Sequence, residues 1–113
     1  MSSTSKQKYG IPERFLNEFI HYCSNNANIE KVLLFGSRAR GDFRFNSDID
    51  LAFYTTNINH SEQNIMEYMV REISTHLKVD IVFMDRLSKE ELIKKIKRDG
   101  VTLYEQGTAL RKA

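Results

Sequence analysis

Two aspartates one residue apart, Asp48 and Asp50, lie in the run Ser47-Asp48-Ile49-Asp50-Leu51-Ala52-Phe53. In an extended strand side chains alternate between faces, so both carboxylates point the same way about 6–7 Å apart, while Ile49, Leu51 and Phe53 enter the opposite layer. Like charges held that close repel, and a cation relieves the repulsion. Oxygen-only ligands favour magnesium, with manganese as the alternative ion, and magnesium bound by one or two carboxylates completes its shell with water and substrate phosphate. That is the chemistry of phosphoryl or nucleotidyl transfer.

A second feature stands just before this pair. The apolar run Val32-Leu33-Leu34-Phe35 stops at Gly36-Ser37. Gly36 has no Cβ, so a phosphate can approach its backbone, and Ser37 adds a hydroxyl at the start of a short helix with free N–H groups. Arg38 and Arg40 flank this corner on different sides of the short helix, so one of the two is expected to face a triphosphate; Arg44 is a third candidate. Gly36 and Gly41 have P-loop spacing, but Asp42 and Phe43 stand where Lys and Ser or Thr are required, so a Walker A assignment fails.

The elements that must position these groups follow from periodicity. Phe15, Leu16, Phe19, Ile20 and Cys23 recur at helical spacing and mark a helix from Pro12 to Ser24. Lys31 to Phe35 is the first strand, Ser37 to Arg40 a short helix ended by Gly41, and Asp48 to Tyr54 the second strand. Ser61 is expected to cap a helix in which Ile65, Met66, Met69, Val70, Ile73 and Leu77 repeat, running through His76. The next strand, Val79-Asp80-Ile81-Val82-Phe83, is apolar apart from Asp80, and a carboxylate there lies where a third ligand beside the Asp48/Asp50 strand belongs. Asp85 reads as a turn or capping residue. Ser88 and Glu91 have the spacing of a capping box for a last helix with a basic end, Lys94, Lys95, Lys97 and Arg98, stopped by Gly100. Val101 to Tyr104 adds a short edge strand.

Length and composition set the bounds. The 113 residues suffice for one domain with a modest core, and a hydrophobic content of 41% is that of a globular chain. A formal charge of +2 predicts no extended nucleic-acid surface. Cys23 is the only cysteine, which rules out an internal disulfide and a cysteine-based metal site, and it reads as a packing residue of a cytoplasmic protein. His21, His60 and His76 lack the spacing of zinc ligands, and His21 reads as a boundary residue making one hydrogen bond. No segment has the length or hydropathy of a membrane span or signal peptide. Residues 1–10 are read as a disordered, trimmable tail, 11–105 as the domain and 106–113 as a polar tail.

The wording Phe35-Gly36-Ser37-Arg38-Ala39-Arg40-Gly41 followed by Ser47-Asp48-Ile49-Asp50-Leu51 resembles the signature of the DNA polymerase beta-like nucleotidyltransferases, and most of all their smallest members, the minimal nucleotidyltransferases. The resemblance extends from about Lys31 to Glu105. It implies an α/β nucleotidyltransferase fold, a small mixed sheet covered by helices. It also implies transfer of a nucleoside monophosphate from a triphosphate, ATP for this group, with Asp48, Asp50 and Asp80 holding two magnesium ions. Asp80 would in addition take the acceptor hydroxyl's proton. Gly36, Ser37, Arg38, Arg40 and Ser47 become the expected nucleotide-binding residues.

The chain lacks the length for a separate acceptor domain, so the acceptor surface is expected on another subunit, in a homo- or hetero-oligomer. Minimal nucleotidyltransferases often accompany a helical HEPN-type toxin as its antitoxin, and relatives adenylylate a toxin tyrosine; by resemblance this is the leading expectation. Two alternatives stand beside it: a non-catalytic subunit that masks its partner by contact, and a transferase for a small molecule or an RNA end. Labelled ATP, magnesium and the partner protein separate the three.

Overall fold

The computed structural model describes residues 9–107. In chain order they form α1 (Glu13–Ser24), β1 (Ile29–Phe35), the four-residue α2 (Ser37–Arg40), β2 (Ile49–Thr55), α3 (His60–Arg71), β3 (Val79–Phe83), a 3-10 turn (Met84–Arg86), α4 (Glu90–Asp99) and β4 (Val101–Glu105). The four strands make one mixed sheet in the order β3-β2-β1-β4. β1 is antiparallel to both β2 and β4, whereas β2 and β3, joined through α3, are parallel. This is the α/β arrangement expected from the sequence, a small mixed sheet with helices packed on it.

Alternation along the strands divides the side chains between two faces. Val32 and Leu34, Ile49, Leu51 and Phe53, and Val79 and Phe83 enter the larger core with Phe15, Leu16, Phe19 and Cys23 of α1 and Met66 and Val70 of α3. A chain of rings ties these layers together: Phe19 meets Phe53 edge-on at 5.9 Å between centroids, and Phe53 meets Phe83 at 5.5 Å. Such pairs add about 0.5–1.5 kcal/mol each beyond the area they bury. Burial pushes the Cys23 thiol up to about 12, so it stays a neutral packing group. The other face carries a thinner cluster, Leu33, Ala52 and Ile96 of α4, with Phe35, Tyr54 and Val82 only partly covered. Asp50 and Asp80 project from this less covered face, in phase with Ala52 and Val82.

Three local expectations are corrected. α3 starts at His60 rather than behind a Ser61 cap, because Asn59 and Glu62 close a reciprocal box: Glu62 N–H donates to Asn59 Oδ1 at 2.9 Å and Asn59 N–H to Glu62 Oε1 at 3.0 Å. It ends at Arg71, not His76; Leu77 is buried and Ile73 packs on the core from the connector beyond it. The expected box at Ser88 does not form, since Lys89 is the N-cap of α4 and puts Leu92, not Glu91, at the third helical position. Asp85 is a turn residue, as read, and its carboxylate accepts from Nε2 of the buried Gln63 at 3.1 Å.

The expected tails fall largely outside the described residues. Of the parts that are described, Tyr9 and Gly10 accept hydrogen bonds from Arg38, and Gln106 Nε2 donates to Ala27 O at 2.8 Å. Among the described residues no helix is long and apolar enough to cross a membrane.

Candidate active site

The parallel β2–β3 pair sets the positions of the carboxylates. Asp50 and Asp80 are register partners, with Ile49 N–H donating to Lys78 O at 2.9 Å just before them. Asp48 precedes β2 by one residue and remains in phase with Asp50. Each of the three contributes one carboxylate oxygen to a group whose atoms all lie within 4.8 Å of one another. Lys78 Nζ lies 3.8 Å from Asp80 Oδ1 at the exposed rim; an exposed pair of this kind contributes little to stability.

Gly36 closes the end of β1 opposite Asp50, whose strand pairs there through Phe35. Its backbone is at φ +79°, ψ −157°, a region open in practice only to glycine. An added Cβ would strike Asp50 Oδ2 and stand 3.2 Å from Asp50 Cγ. The glycine therefore makes room for a carboxylate of this chain.

The electrostatics match this crowding. Burial first, then the carboxylates of Asp80 and Asp48 and a hydrogen bond with Asp80, push Asp50 up to about 6, and only Arg40 opposes them. The site concentrates negative charge that its own cations do not cancel.

A family model described as "Polymerase beta, Nucleotidyltransferase" matches residues 17–109, most of the chain. The protein belongs to this family. A comparison with curated proteins found no match. Among solved structures, a putative nucleotidyltransferase from Sulfolobus solfataricus is similar at 28% identity and a TM-score of 0.56, over 88% of this chain and 86% of that one. A toxin-antitoxin crystal structure with AMP-PNP is similar at 20% identity and a TM-score of 0.58, over 88% of this chain and 77% of the other. A tri-AMPylated Shewanella oneidensis HEPN toxin in complex with MNT antitoxin gives 18% identity and a TM-score of 0.59, over 87% and 76%. The last two establish likeness of fold.

The donors suit the metal ions that nucleotidyltransferases use. Three hard oxygen donors converge, one of them pushed well above its ordinary carboxylate range, and a divalent cation would relieve that repulsion. Asp48, Asp50 and Asp80 are the residues that would hold it.

The arginines of this nucleotidyltransferase divide by burial. Arg40 is exposed, pairs with Asp42 at 3.2 Å and is the basic group that acts on Asp50. Arg38, expected among the phosphate ligands, is wholly buried, and its guanidinium is spent on backbone carbonyls of Tyr9, Gly10, Phe45 and Ser47. Every N–H of the fork already has an acceptor. Ser47 Oγ accepts from Arg44 N–H at 2.9 Å and closes the turn ahead of Asp48. Ser37 begins α2, and its carbonyl accepts from Gly41 N–H at 2.9 Å. Tyr9 and Gly10 were missed as supports of this site; contacts 28 and 29 residues away leave no periodic trace.

Proposed function

We propose that the protein is a divalent-metal-dependent adenylyltransferase that moves AMP from ATP to a hydroxyl of a partner protein, a helical HEPN-type toxin, and thereby acts as its antitoxin. The observation that carries the chemistry is the convergence of Asp48, Asp50 and Asp80 beside the Gly36 turn. Support for the acceptor class comes from similar solved structures, one containing a tri-AMPylated HEPN toxin with its MNT antitoxin. The partly covered sheet face around the aspartates suits a large acceptor brought in by another subunit. A cytoplasmic location, where ATP and magnesium are supplied, belongs to the same proposal.

In the reaction the acceptor oxygen attacks the α-phosphorus as the bond from that phosphorus to the bridging oxygen of the β-phosphate breaks, and pyrophosphate leaves. Bound at the triad, magnesium, as one ion or two, would neutralise phosphate charge and favour ionisation of the acceptor hydroxyl. Gly36 and Ser37 receive the β- and γ-phosphates at the end of β1, and Arg40 adds positive charge on the exposed side. Asp80, at the rim, takes the proton from the acceptor hydroxyl.

Incubation with α-labelled ATP, magnesium and a purified HEPN partner tests this reading. Label on the partner, lost with Asp48→Asn, is expected. A stoichiometric complex that suppresses the partner without transferring label would assign inhibition by contact instead.

A further inference from the structure

Arg38 is the most completely enclosed charge among the described residues, at 0% exposure. Its Nε donates to Ser47 O at 3.2 Å and its Nη2 to Ser47 O at 2.9 Å and Phe45 O at 3.0 Å. On the other side Nη1 donates to Tyr9 O at 3.0 Å and Gly10 O at 2.9 Å. All five donors of the guanidinium are thus used, and no carboxylate is among their acceptors. The Phe43 ring lies 4.9 Å from Cζ and completes the enclosure. Burial lowers the pKa of Arg38, and the Asp48 and Asp50 carboxylates oppose that change from beyond hydrogen-bond reach.

Two pieces of chain far apart in sequence meet on this one side chain. One is the segment entering α1; the other is the loop that delivers Asp48. Ser47 takes two of the five bonds, and the plane of its carbonyl is the plane of the Ser47–Asp48 peptide. Fixing that carbonyl fixes the direction in which the backbone enters Asp48. Gly10 is shaped to the same contact: at φ +64° an added Cβ would lie 2.9 Å from Arg38 Nη1 and 2.9 Å from Phe43 Cζ. A lysine could keep the charge, but its three donors on one nitrogen cannot span four carbonyls.

We propose that Arg38 is a positioning residue of the transfer site, which clamps the Phe45–Ser47 loop to the Tyr9–Gly10 segment and so sets the Asp48 carboxylate for metal binding. This rests on the metal-dependent reading of the aspartate triad. The role differs from phosphate contact, because Arg38 acts on metal geometry through the backbone.

The test uses full-length Arg38→Lys and Gly10→Ala, the second chosen because Gly10 touches the clamp and lies far from Asp48 in sequence. Circular dichroism reports folding, calorimetry with Mn2+ reports the metal site, and hydrogen exchange reports the 43–48 loop. Both variants are expected to fold, to weaken Mn2+ binding at least tenfold and to speed exchange in that loop. In the transfer assay kcat should fall at least tenfold while KM for ATP moves less than threefold. If Arg38→Lys does not fold, Gly10→Ala carries the same measurements. Mn2+ affinity within twofold of the wild type in the folded variants overturns the proposal, and a raised KM with intact Mn2+ affinity would return Arg38 to the phosphates. A wild type that binds Mn2+ but transfers no AMP sinks the adenylyltransferase reading alone, and the Mn2+ affinities of the variants still decide the clamp. A wild type without Mn2+ affinity overturns the clamp together with the metal reading.

Discussion

Asp50 and Asp80 are register partners across the parallel strands β2 and β3, so the fold itself presses two carboxylates together on the less covered face of the sheet. Neighbouring parallel strands lie about 4.8 Å apart, too close for two like charges to be held without cost. The pairing is what a cation site needs and what a merely structural sheet would avoid.

Metal binding should therefore follow the protonation of Asp50. Its carboxyl sits at about 6, so it holds a proton below that pH and competes with the cation. Mn2+ affinity is expected to be flat above pH 7 and to fall up to about tenfold for each unit below pH 6. Calorimetry from pH 5 to 8 checks this, and ATP titrations with magnesium and with EDTA show whether triphosphate binding shares the requirement. Equal ATP affinity in EDTA would separate the nucleotide from the triad.

Gly36→Val should abolish ATP and Mn2+ binding together. The side chain would meet Asp50 and would have to adopt φ +79°, a strain of about 1–3 kcal/mol that the domain should survive. Circular dichroism, a thermal melt and the two titrations report the outcome. A folded variant with wild-type affinities would reduce Gly36 to a turn residue.

Much of this was legible because local pattern and chemistry coincide. Alternation in Asp48 to Phe53 assigned both the carboxylate face and the core face, and the lone polar residue of an apolar strand identified Asp80. Arg38 was not legible: its neighbours in sequence say nothing of carbonyls 28 and 29 residues back, and a basic residue beside a phosphate corner reads naturally as a ligand. Helix starts failed for a smaller reason. Ser61 and Ser88 are good capping residues in isolation, but each lies within two residues of the position that the backbone selects, Asn59 and Lys89.

That last difference can be measured. Asn59→Ala removes the acceptor for Glu62 N–H and should cost about 1 kcal/mol, whereas Ser61→Ala and Ser88→Ala should each stay within about 0.5 kcal/mol of the wild type. Urea denaturation of the three variants decides it. A larger loss for Ser61→Ala than for Asn59→Ala would move the start of α3.

Asp50→Asn should trade activity for stability. Because the folded-state pKa of Asp50, about 6, lies above the unfolded value of about 3.9, the folded protein binds this proton more tightly. The stability that the proton contributes is fully present below about pH 3.9 and is lost as the pH rises through 6, so the wild type without metal is handicapped at neutral pH. A gap that wide would correspond in full to about 3 kcal/mol, but Asp50 is only half-buried and solvent screens it, so about 1 kcal/mol is expected. Asparagine removes the titration. In EDTA the variant should melt above the wild type at pH 8 and level with it near pH 4, and with magnesium at pH 8 it should transfer no AMP. An aspartate that served the fold by capping a turn or pairing with an arginine would behave in the opposite way, since its removal would strand a partner. A variant less stable than the wild type at pH 8 that still transfers nucleotide would remove Asp50 from the metal site.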